Sequence, residues 1–209
     1  MKGLFHIHTR HSFDSLLHPA KVVNYALDHG FDLLAITDHN TLAGAREAEK
    51  FNKCSGLHII TGAEYSTEKG DIIGLFLTEE ISTGNSVEVI SAIKSQRGLV
   101  LLPHPVRLKV VDDELMRCVD LIEGYNCRID SAGNRFAMEL ARAYDKPVLV
   151  GNDAHFASEL KLGAVNFYSR FEDLRETVLK AHRTLWARPS PFYYRYLGKV
   201  IGCYRQNRL

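Results

Sequence analysis

The chain has 209 residues, a formal net charge of +1, and 45% hydrophobic and 24% charged residues. These values are typical of one globular domain with a sizeable core, and the near-neutral charge gives no global field that would attract nucleic acid. No apolar run approaches the roughly 18 residues of a membrane span, and the first residues show no signal-peptide pattern.

Cysteine use points to a reducing compartment. The four cysteines are far apart and form no CxxC pair, which argues against both a disulfide framework and a zinc–thiolate site. We therefore expect a cytoplasmic protein. The cysteines are Cys54, Cys118, Cys127 and Cys203.

Short apolar runs alternate with amphipathic segments along the chain. Residues 3–8 are predicted to form a strand, and residues 19–29 a helix that stops at Gly30. This alternation predicts an α/β fold with a largely parallel sheet, and eight short strands favour one compact barrel over two domains. The other predicted strands are 32–37, 58–64, 71–77, 99–103, 121–125, 148–151 and 164–168; the other predicted helices are 43–52, 86–95, 131–144 and 171–182.

The C-terminal segment differs in composition, and we divide the chain into a barrel, residues 1–182, and a basic, aromatic extension, residues 183–209. The extension contains no Asp or Glu. Its aromatic residues could pack on the barrel while its charges are solvated, or it could contact an anionic partner such as membrane headgroups or nucleic acid. Its cations are Arg183, Arg188, Arg195, Lys199, Arg205 and Arg208.

Histidines and carboxylates concentrate at the C-terminal ends of the predicted strands. Since parallel barrel strands end at one mouth, we expect these side chains to meet there. A single strand-end histidine is usually structural, and Asp38 could cap a helix, but five histidines on one rim need a common cause. The histidines are His6, His8, His39, His104 and His155; the carboxylates are Asp38, Glu64, Glu123 and Asp153.

Imidazole and carboxylate together form a ligand set that suits zinc, manganese or iron. His6 and His8 are expected on one side of the first strand, because side chains alternate along a strand. The donors exceed the needs of one four-coordinate ion, so we infer two or three divalent ions. Clustered cations neutralise a phosphate and lower the pKa of a bound water, which predicts a metal-dependent hydrolase of a phosphate ester.

Five segments occur in order at spacings that resemble those of the PHP (polymerase and histidinol phosphatase) family. They are HIHTRHSFDS, AITDHNT, TGAEYS, LLPHP and GNDAH, and the resemblance covers about residues 1–170. It implies a distorted seven-stranded β/α barrel with a two- or three-metal site at the C-terminal strand ends. Family members include histidinol phosphatases, nucleotide phosphoesterases and proofreading domains of bacterial polymerases.

The resemblance also implies a set of ligands for each ion. The first ion would bind His6, His8, Glu64 and Asp153; the second Glu64 and His104; the third Asp14, His39 and His155. His11 is the alternative to Asp14. Many members carry a histidine where this chain has Asp71, so Asp71 either ligates the second ion or caps a turn. Glu123 is a further ligand of that ion or a group that orients one.

Substrate contacts are less specific in the sequence. A proton for the leaving group would come from a bound water, His11 or His155. Arg10, Arg107 and Arg128 are candidates for the phosphate, or else solvated surface residues. We expect a small phosphomonoester or a nucleotide; nucleic acid is possible but not favoured by the overall charge.

Two other functions remain open. One is an amidohydrolase on the same metals, although such barrels use a carboxylated lysine and no lysine lies in the five segments. The other is a non-catalytic, metal-stabilised accessory module that docks through its basic tail.

Overall fold

The alternation of strands and helices predicted from the sequence is present in the fold. A computed structural model describes residues 1–54, 56–82 and 84–206. In chain order the elements are β1 (Lys2–Ile7), α1 (Pro19–Asp28), β2 (Leu33–His39), α2 (Ala43–Phe51), β3 (His58–Ser66), β4 (Asp71–Leu75), α3 (Ser86–Ser95), β5 (Leu99–Leu102), α4 (Asp113–Cys118), β6 (Leu121–Asn126), α5 (Ser131–Ala143), β7 (Val148–Gly151), β8 (Gly163–Phe167), α6 (Leu174–Lys180), β9 (Arg183–Ala187) and α7 (Phe192–Gln206).

Seven of the strands form a nearly closed barrel. Within the described ranges one sheet runs in the order β7-β6-β5-β4-β3-β2-β1-β8-β9. The backbone after β7 returns to β1: the Asn152 amide donates to the Phe5 carbonyl at 3.0 Å, and the His8 amide to the Ala154 carbonyl at 2.9 Å. The other edge of the sheet extends from β1 through β8 to β9. The predicted α/β barrel is thereby confirmed.

The sheet is less parallel than the alternation of elements predicts. Strand β4 runs antiparallel to both β3 and β5, whereas β1–β2–β3 and β5–β6–β7 are parallel. Only residues 67–70 connect β3 to β4, which is too short for a crossover and forces a hairpin. As a result Asp71, at the start of β4, pairs with Ser66 near the mouth where β3 ends.

The barrel strands are buried on both faces, which explains their nearly continuous apolar sequences, whereas alternate residues of β9 are exposed. In β2, Leu33 and Ala35 contact the core cluster that also contains Leu101. The residues between and after them, Leu34 and Ile36, contact a different cluster that includes the apolar residues of α1. Strand β2 is therefore packed against apolar side chains on each of its faces.

Helix boundaries follow local chemistry. Helix α1 begins with Pro19 in its first turn, where a missing amide proton costs nothing. Asn85 and Glu88 form a reciprocal capping box at the start of α3. The side chain of Asp130 accepts a hydrogen bond from the Gly133 amide at 2.8 Å and so caps α5.

Sequence patterns missed α4, β9 and α7. Strand β9 pairs with β8 and α7 follows it, so residues 183–206 are ordered elements; the division at residue 182/183 remains a prediction. Arg208 lies outside the described residues. Helix α7 carries Tyr193, Leu197, Val200, Ile201 and Tyr204 at positions i, i+4, i+7, i+8 and i+11, which is a helical signal that the aromatic composition obscured.

Among the described residues, every helix is too short or too polar to pass through a lipid bilayer. All four cysteines lie within these ranges and are unpaired; Cys127 is buried and the other three are exposed.

Candidate metal centre

The strand ends bring the predicted histidines and carboxylates to one mouth of the barrel. His6 and His8 lie at the end of β1, and His39 is the last residue of β2. The side chains of His6, His8 and Glu64 are almost completely buried. The remaining members follow β5 and β7: His104, Asp153 and His155.

The first group of donors joins β1 to β3. His6 Nε2 and His8 Nε2 are 3.0 Å apart. Glu64 Oε2 lies 3.4 Å from the first nitrogen and 3.2 Å from the second. Asp153 Oδ1 is 3.9 Å and 3.8 Å from the same two atoms. The two imidazole nitrogens and the Glu64 oxygen therefore converge, and the Asp153 oxygen lies slightly further from both nitrogens.

Glu64 also faces the other histidines. Its Oε1 is 3.0 Å from His104 Nε2, and its Oε2 is 3.4 Å from His39 Nδ1. One carboxylate thus contacts four imidazoles, which is the position expected for a group that bridges two cations.

Another group lies beside Glu64 and is built on Asp14. Asp14 Oδ2 is 2.8 Å from His155 Nε2 and 3.5 Å from His39 Nε2. The ring of His8 packs against both imidazoles, with centroids 4.3 Å and 4.5 Å away. His11, the alternative to Asp14, points elsewhere: its Nε2 is 2.5 Å from Glu47 Oε2.

The antiparallel β4 brings Asp71 to the edge of the cluster. Asp71 Oδ2 is 3.9 Å from His104 Nε2, while its Oδ1 accepts a 2.7 Å hydrogen bond from the Ser66 hydroxyl. This arrangement keeps both expected roles open, a ligand through one oxygen and a turn-stabilising acceptor through the other.

Glu123 lies behind the donors. Its Oε1 is 2.5 Å from His6 Nδ1, and its Oε2 accepts from the His104 amide at 3.0 Å and the Asn126 side chain at 2.9 Å. A carboxylate on the far nitrogen of an imidazole fixes the ring and its tautomer. The geometry favours Glu123 as a group that orients His6.

The charges in the cluster are tightly coupled. Burial and the neighbouring imidazoles His155 and His39 lower the pKa of His8 to about 3, so that ring is neutral. Burial opposes ionisation of Glu64, but His6 and His104 overcome it and hold the pKa of that carboxyl well below its usual range. Neighbouring carboxylates likewise overcome burial and raise the pKa of His6 well above its usual range and that of His39 to about 9, so a bound cation would displace a proton from these two rings.

Three of the seven non-glycine residues with a positive φ in the described part of the chain belong to the donor cluster. His6, His104 and Asp153 have φ values of 60°, 29° and 49°, in the left-handed region that non-glycine residues rarely adopt. Each such conformation costs on the order of 1–3 kcal/mol, and such outliers cluster at functional sites. The strain is consistent with side chains that are positioned for a ligand rather than for stability.

The donor set fits divalent cations. Asp14 Oδ1 and His104 Nδ1 are buried and have no hydrogen-bond partner in the described part of the chain. Nitrogen and carboxylate oxygen together suit zinc, manganese or iron. Four overlapping groups each have their donor atoms within 4.8 Å of one another: His8, Asp14, His39 and His155; His6, His8 and Glu64; His6, His104 and Asp153; and Glu64, Asp71 and His104.

The three predicted arginines have different surroundings. Arg10 lies on the surface, with Nη2 2.6 Å from Glu47 Oε1, and does not line the cavity over the cluster. Arg128 lines the cavity but is held by two 2.9 Å hydrogen bonds to Glu159. Arg107 lines the cavity, and no partner of its side chain is found among the described residues.

Glu159 is a structural residue that sequence patterns did not indicate. It is fully buried, and besides Arg128 it accepts hydrogen bonds from the His155 amide at 2.9 Å and the Ser190 hydroxyl at 2.6 Å. It therefore links the loop after β7 to the segment that leads into α7. No local motif marks it, because its partners are distant in sequence or are backbone amides.

A cavity of about 690 Å³ lies above the donors. Its floor carries the histidines and carboxylates, and part of its wall comes from α7 through Phe192, Arg195, Tyr196 and Lys199. This volume is in the range of sites for small molecules. The contribution of α7 was missed because the helix itself was not predicted.

A substitution at Gly151 would show how closely the metal centre is packed. A Cβ at this position would lie 1.9 Å from Glu123 Oε1, so Gly151→Ala must displace the carboxylate that orients His6. We expect unfolding in urea to show a stability loss of about 1–3 kcal/mol, together with lower metal affinity. Gly56→Ala is the control, since its nearest contact is 3.7 Å away. Equal stability and metal affinity in the two variants would contradict the expected displacement.

The α/β barrel and the overlapping histidine–carboxylate groups at its strand ends place this chain in the class of metal-binding barrel proteins. Within that class, the chain is a member of the PHP domain family, whose model matches residues 5–185. The resemblance inferred from the five sequence segments is therefore confirmed.

Individual relatives agree with this assignment. An uncharacterized protein of Methanocaldococcus jannaschii is 41% identical over 116 residues, which are 50% of this chain and 68% of that protein. A 5'-3' exoribonuclease of Haemophilus influenzae is 44% identical over 62 residues, 30% of this chain and 22% of the enzyme. This chain thus corresponds to only a small part of that exoribonuclease.

A similar solved structure is a two-domain protein from Bacteroides vulgatus that contains a predicted PHP-like metal-dependent phosphoesterase. It superposes with a TM-score of 0.73 at 17% identity, covering 90% of this chain and 65% of the other. At this identity the likeness establishes the fold. The chain spans less than two thirds of that structure.

Proposed function

We propose that the chain is a metal-dependent phosphoesterase that hydrolyses a small phosphomonoester or a nucleotide-type phosphate ester. The observation that carries the proposal is the Glu64 carboxylate among four imidazoles at the floor of a cavity lined by cations. Divalent ions held there would polarise the phosphate and make water a nucleophile at neutral pH. Family membership and the phosphoesterase named in the Bacteroides structure support the same chemistry.

The proposed ligands follow the geometry. His6, His8, Glu64 and Asp153 would hold the first ion, and Glu64 and His104 the second, with Asp71 at its edge. Asp14, His39 and His155 would hold a third. Glu123 holds Nδ1 of His6 from behind and leaves Nε2 of that ring facing His8, where the first ion would bind.

The chain's own side chains would orient the ester and supply a proton. Arg107 is available to an anionic group, whereas Glu159 already occupies two nitrogens of Arg128. His155 has two candidate roles, ligand of the third ion or donor to the leaving oxygen. Both use Nε2, so the number of bound ions decides between them. His11 is directed at Glu47, which makes it the weaker proton donor.

Metal analysis and a substrate panel test the proposal. We expect two or three equivalents of zinc, manganese or iron in the purified protein, and phosphate release from p-nitrophenyl phosphate, nucleotides or histidinol phosphate. A chelator should abolish the activity, and added manganese should restore it.

The four unpaired cysteines support a proposed location in the reducing cytoplasm.

The same panel separates the rival functions. Turnover of amides alone would replace the proposal by an amidohydrolase. A full complement of metal with no hydrolysis of any ester would favour an accessory module. Release of nucleotides from RNA ends would point to the activity of the Haemophilus relative, which this chain matches over 62 residues.

A further inference from the structure

Strands β8 and β9 extend the sheet beyond β1, and their two faces have different surroundings. Val165 and Phe167 of β8 belong to the large core cluster, and Leu185 of β9 packs against it. Because side chains alternate along a strand, Asn166 and Trp186 lie on the opposite face. That face is the outer one, away from the core cluster.

The outer face contains a second pocket, with a volume of about 330 Å³. Three aromatic side chains line it: Trp186 of β9, Tyr25 of α1, and Phe31 in the loop before β2. The Tyr25 and Phe31 ring centroids are 6.1 Å apart. The pocket also contains Lys2 at the start of β1, whereas the metal donors follow the end of that strand. Among the described residues, none lines both this pocket and the cavity above the donors.

The charge of this pocket is positive. Lys2 and Lys161 line it, and no carboxylate of the described chain does so. Lys2 is held in place, because its Nζ donates to the His29 carbonyl at 3.1 Å and lies 4.0 Å from the centroid of the Phe31 ring. Lys161 is exposed, and its side chain has no ion pair or hydrogen bond within the described ranges. An ammonium group without a carboxylate partner is available to an anionic ligand.

Trp186 gives the pocket a flat aromatic surface. Tryptophan gains much from burial, yet 43% of this residue is exposed. The guanidinium carbon of Arg188 lies 5.3 Å from the centroid of its ring, which places a further cation nearby. The volume is at the lower end of the range for small-molecule sites and therefore suits a ligand of one or two rings.

We propose that this pocket binds a small planar aromatic ring that carries an anionic group, with the ring against Trp186 and the charge at Lys161. The aromatic lining favours a flat ligand, because aromatic rings gain from stacked and edge-to-face contacts with one another. The lysines favour a negative charge. The pocket is separate from the metal centre, so the proposal does not depend on the proposed hydrolysis.

The emission of Trp186 measures binding directly, since the chain has one tryptophan. Benzoate carries a ring and a carboxylate, and phenylphosphonate carries a ring and a phosphate-like group that ester hydrolysis cannot release. Each should change the emission saturably, and the tighter ligand identifies the preferred anionic group. Benzyl alcohol lacks the charge and should bind about tenfold more weakly, the usual worth of one charge-assisted contact. Cyclohexanecarboxylate lacks the aromatic ring and should also bind more weakly than benzoate.

Two lysine variants test the position of the charge. Lys161→Gln should weaken the binding of both aromatic anions about tenfold and leave that of benzyl alcohol unchanged. Lys53→Gln makes the same change at an exposed position outside the pocket and should bind as the wild type does. No saturable change in emission, equal binding of benzoate and benzyl alcohol, or equal affinity in the two variants would overturn the proposal.

Metal-free protein separates this pocket from the metal centre. None of the donors at the mouth of the barrel lines the pocket, so protein treated with a chelator should give the wild-type dissociation constant for benzoate. Binding that is lost with the metal would place benzoate at the metal centre and would also overturn the proposal.

Discussion

Glu64→Gln is expected to lower kcat for phosphate release by at least about 10³-fold and to reduce the bound metal. The carboxylate lies 3.0 Å to 3.4 Å from nitrogens of four imidazoles, so it belongs to more than one donor group. Glutamine keeps the shape but loses the negative charge that would bridge two cations. Loss of several kcal/mol of charge stabilisation corresponds to this factor, since each 1.4 kcal/mol is about tenfold.

Two measurements check this expectation, metal content by elemental analysis and initial rates on the best ester of the panel. Glu172→Gln is the control, because it makes the same chemical change at an exposed position outside the cavity. Circular dichroism shows whether each variant is folded. A folded Glu64→Gln protein with full metal and full activity would remove the basis of the bridging role.

The rim of the barrel could be predicted because its residues follow strands that are recognisable one at a time. His39 and Glu64 each come at or near the end of an apolar run, and parallel strands place such ends together. The local backbone was not predictable in the same way. His6 and His8 converge with a positive φ at His6 and a shift of strand register between Leu4 and Ile7, rather than by simple alternation.

Whether each arginine is free to bind a phosphate depends on partners that are distant in sequence, so it could not be predicted. Arg10 and Arg128 are both candidate phosphate ligands in the sequence, but in the structure Arg10 pairs with Glu47 and Arg128 pairs with Glu159. Each pairing joins residues more than 30 positions apart. The position of Arg195 in the cavity wall requires, in addition, that α7 folds back over the mouth of the barrel.

Glu159 connects the loops that shape the cavity. Because it is buried and paired, its removal is expected to cost stability. Neither Glu159 nor Arg128 has more than 7% of its side chain exposed. The carboxylate satisfies the guanidinium with two hydrogen bonds and also accepts from the His155 and Phe156 amides. Removing the acid would leave a buried positive charge and two amides without partners.

Glu159→Ala is therefore expected to destabilise the fold by about 3–5 kcal/mol, the usual cost of leaving one member of a buried ion pair unpaired. For a chain of this size that corresponds to a fall in Tm on the order of 10 °C. Urea and thermal unfolding measure both quantities. The matched control is Glu176→Ala, which breaks the exposed pair between Glu176 and Lys180 and should change stability little, because water replaces the lost contact. A Glu159→Ala protein as stable as this control would mean that the buried arginine finds another partner, and α7 would then be held to the barrel without the Ser190 link.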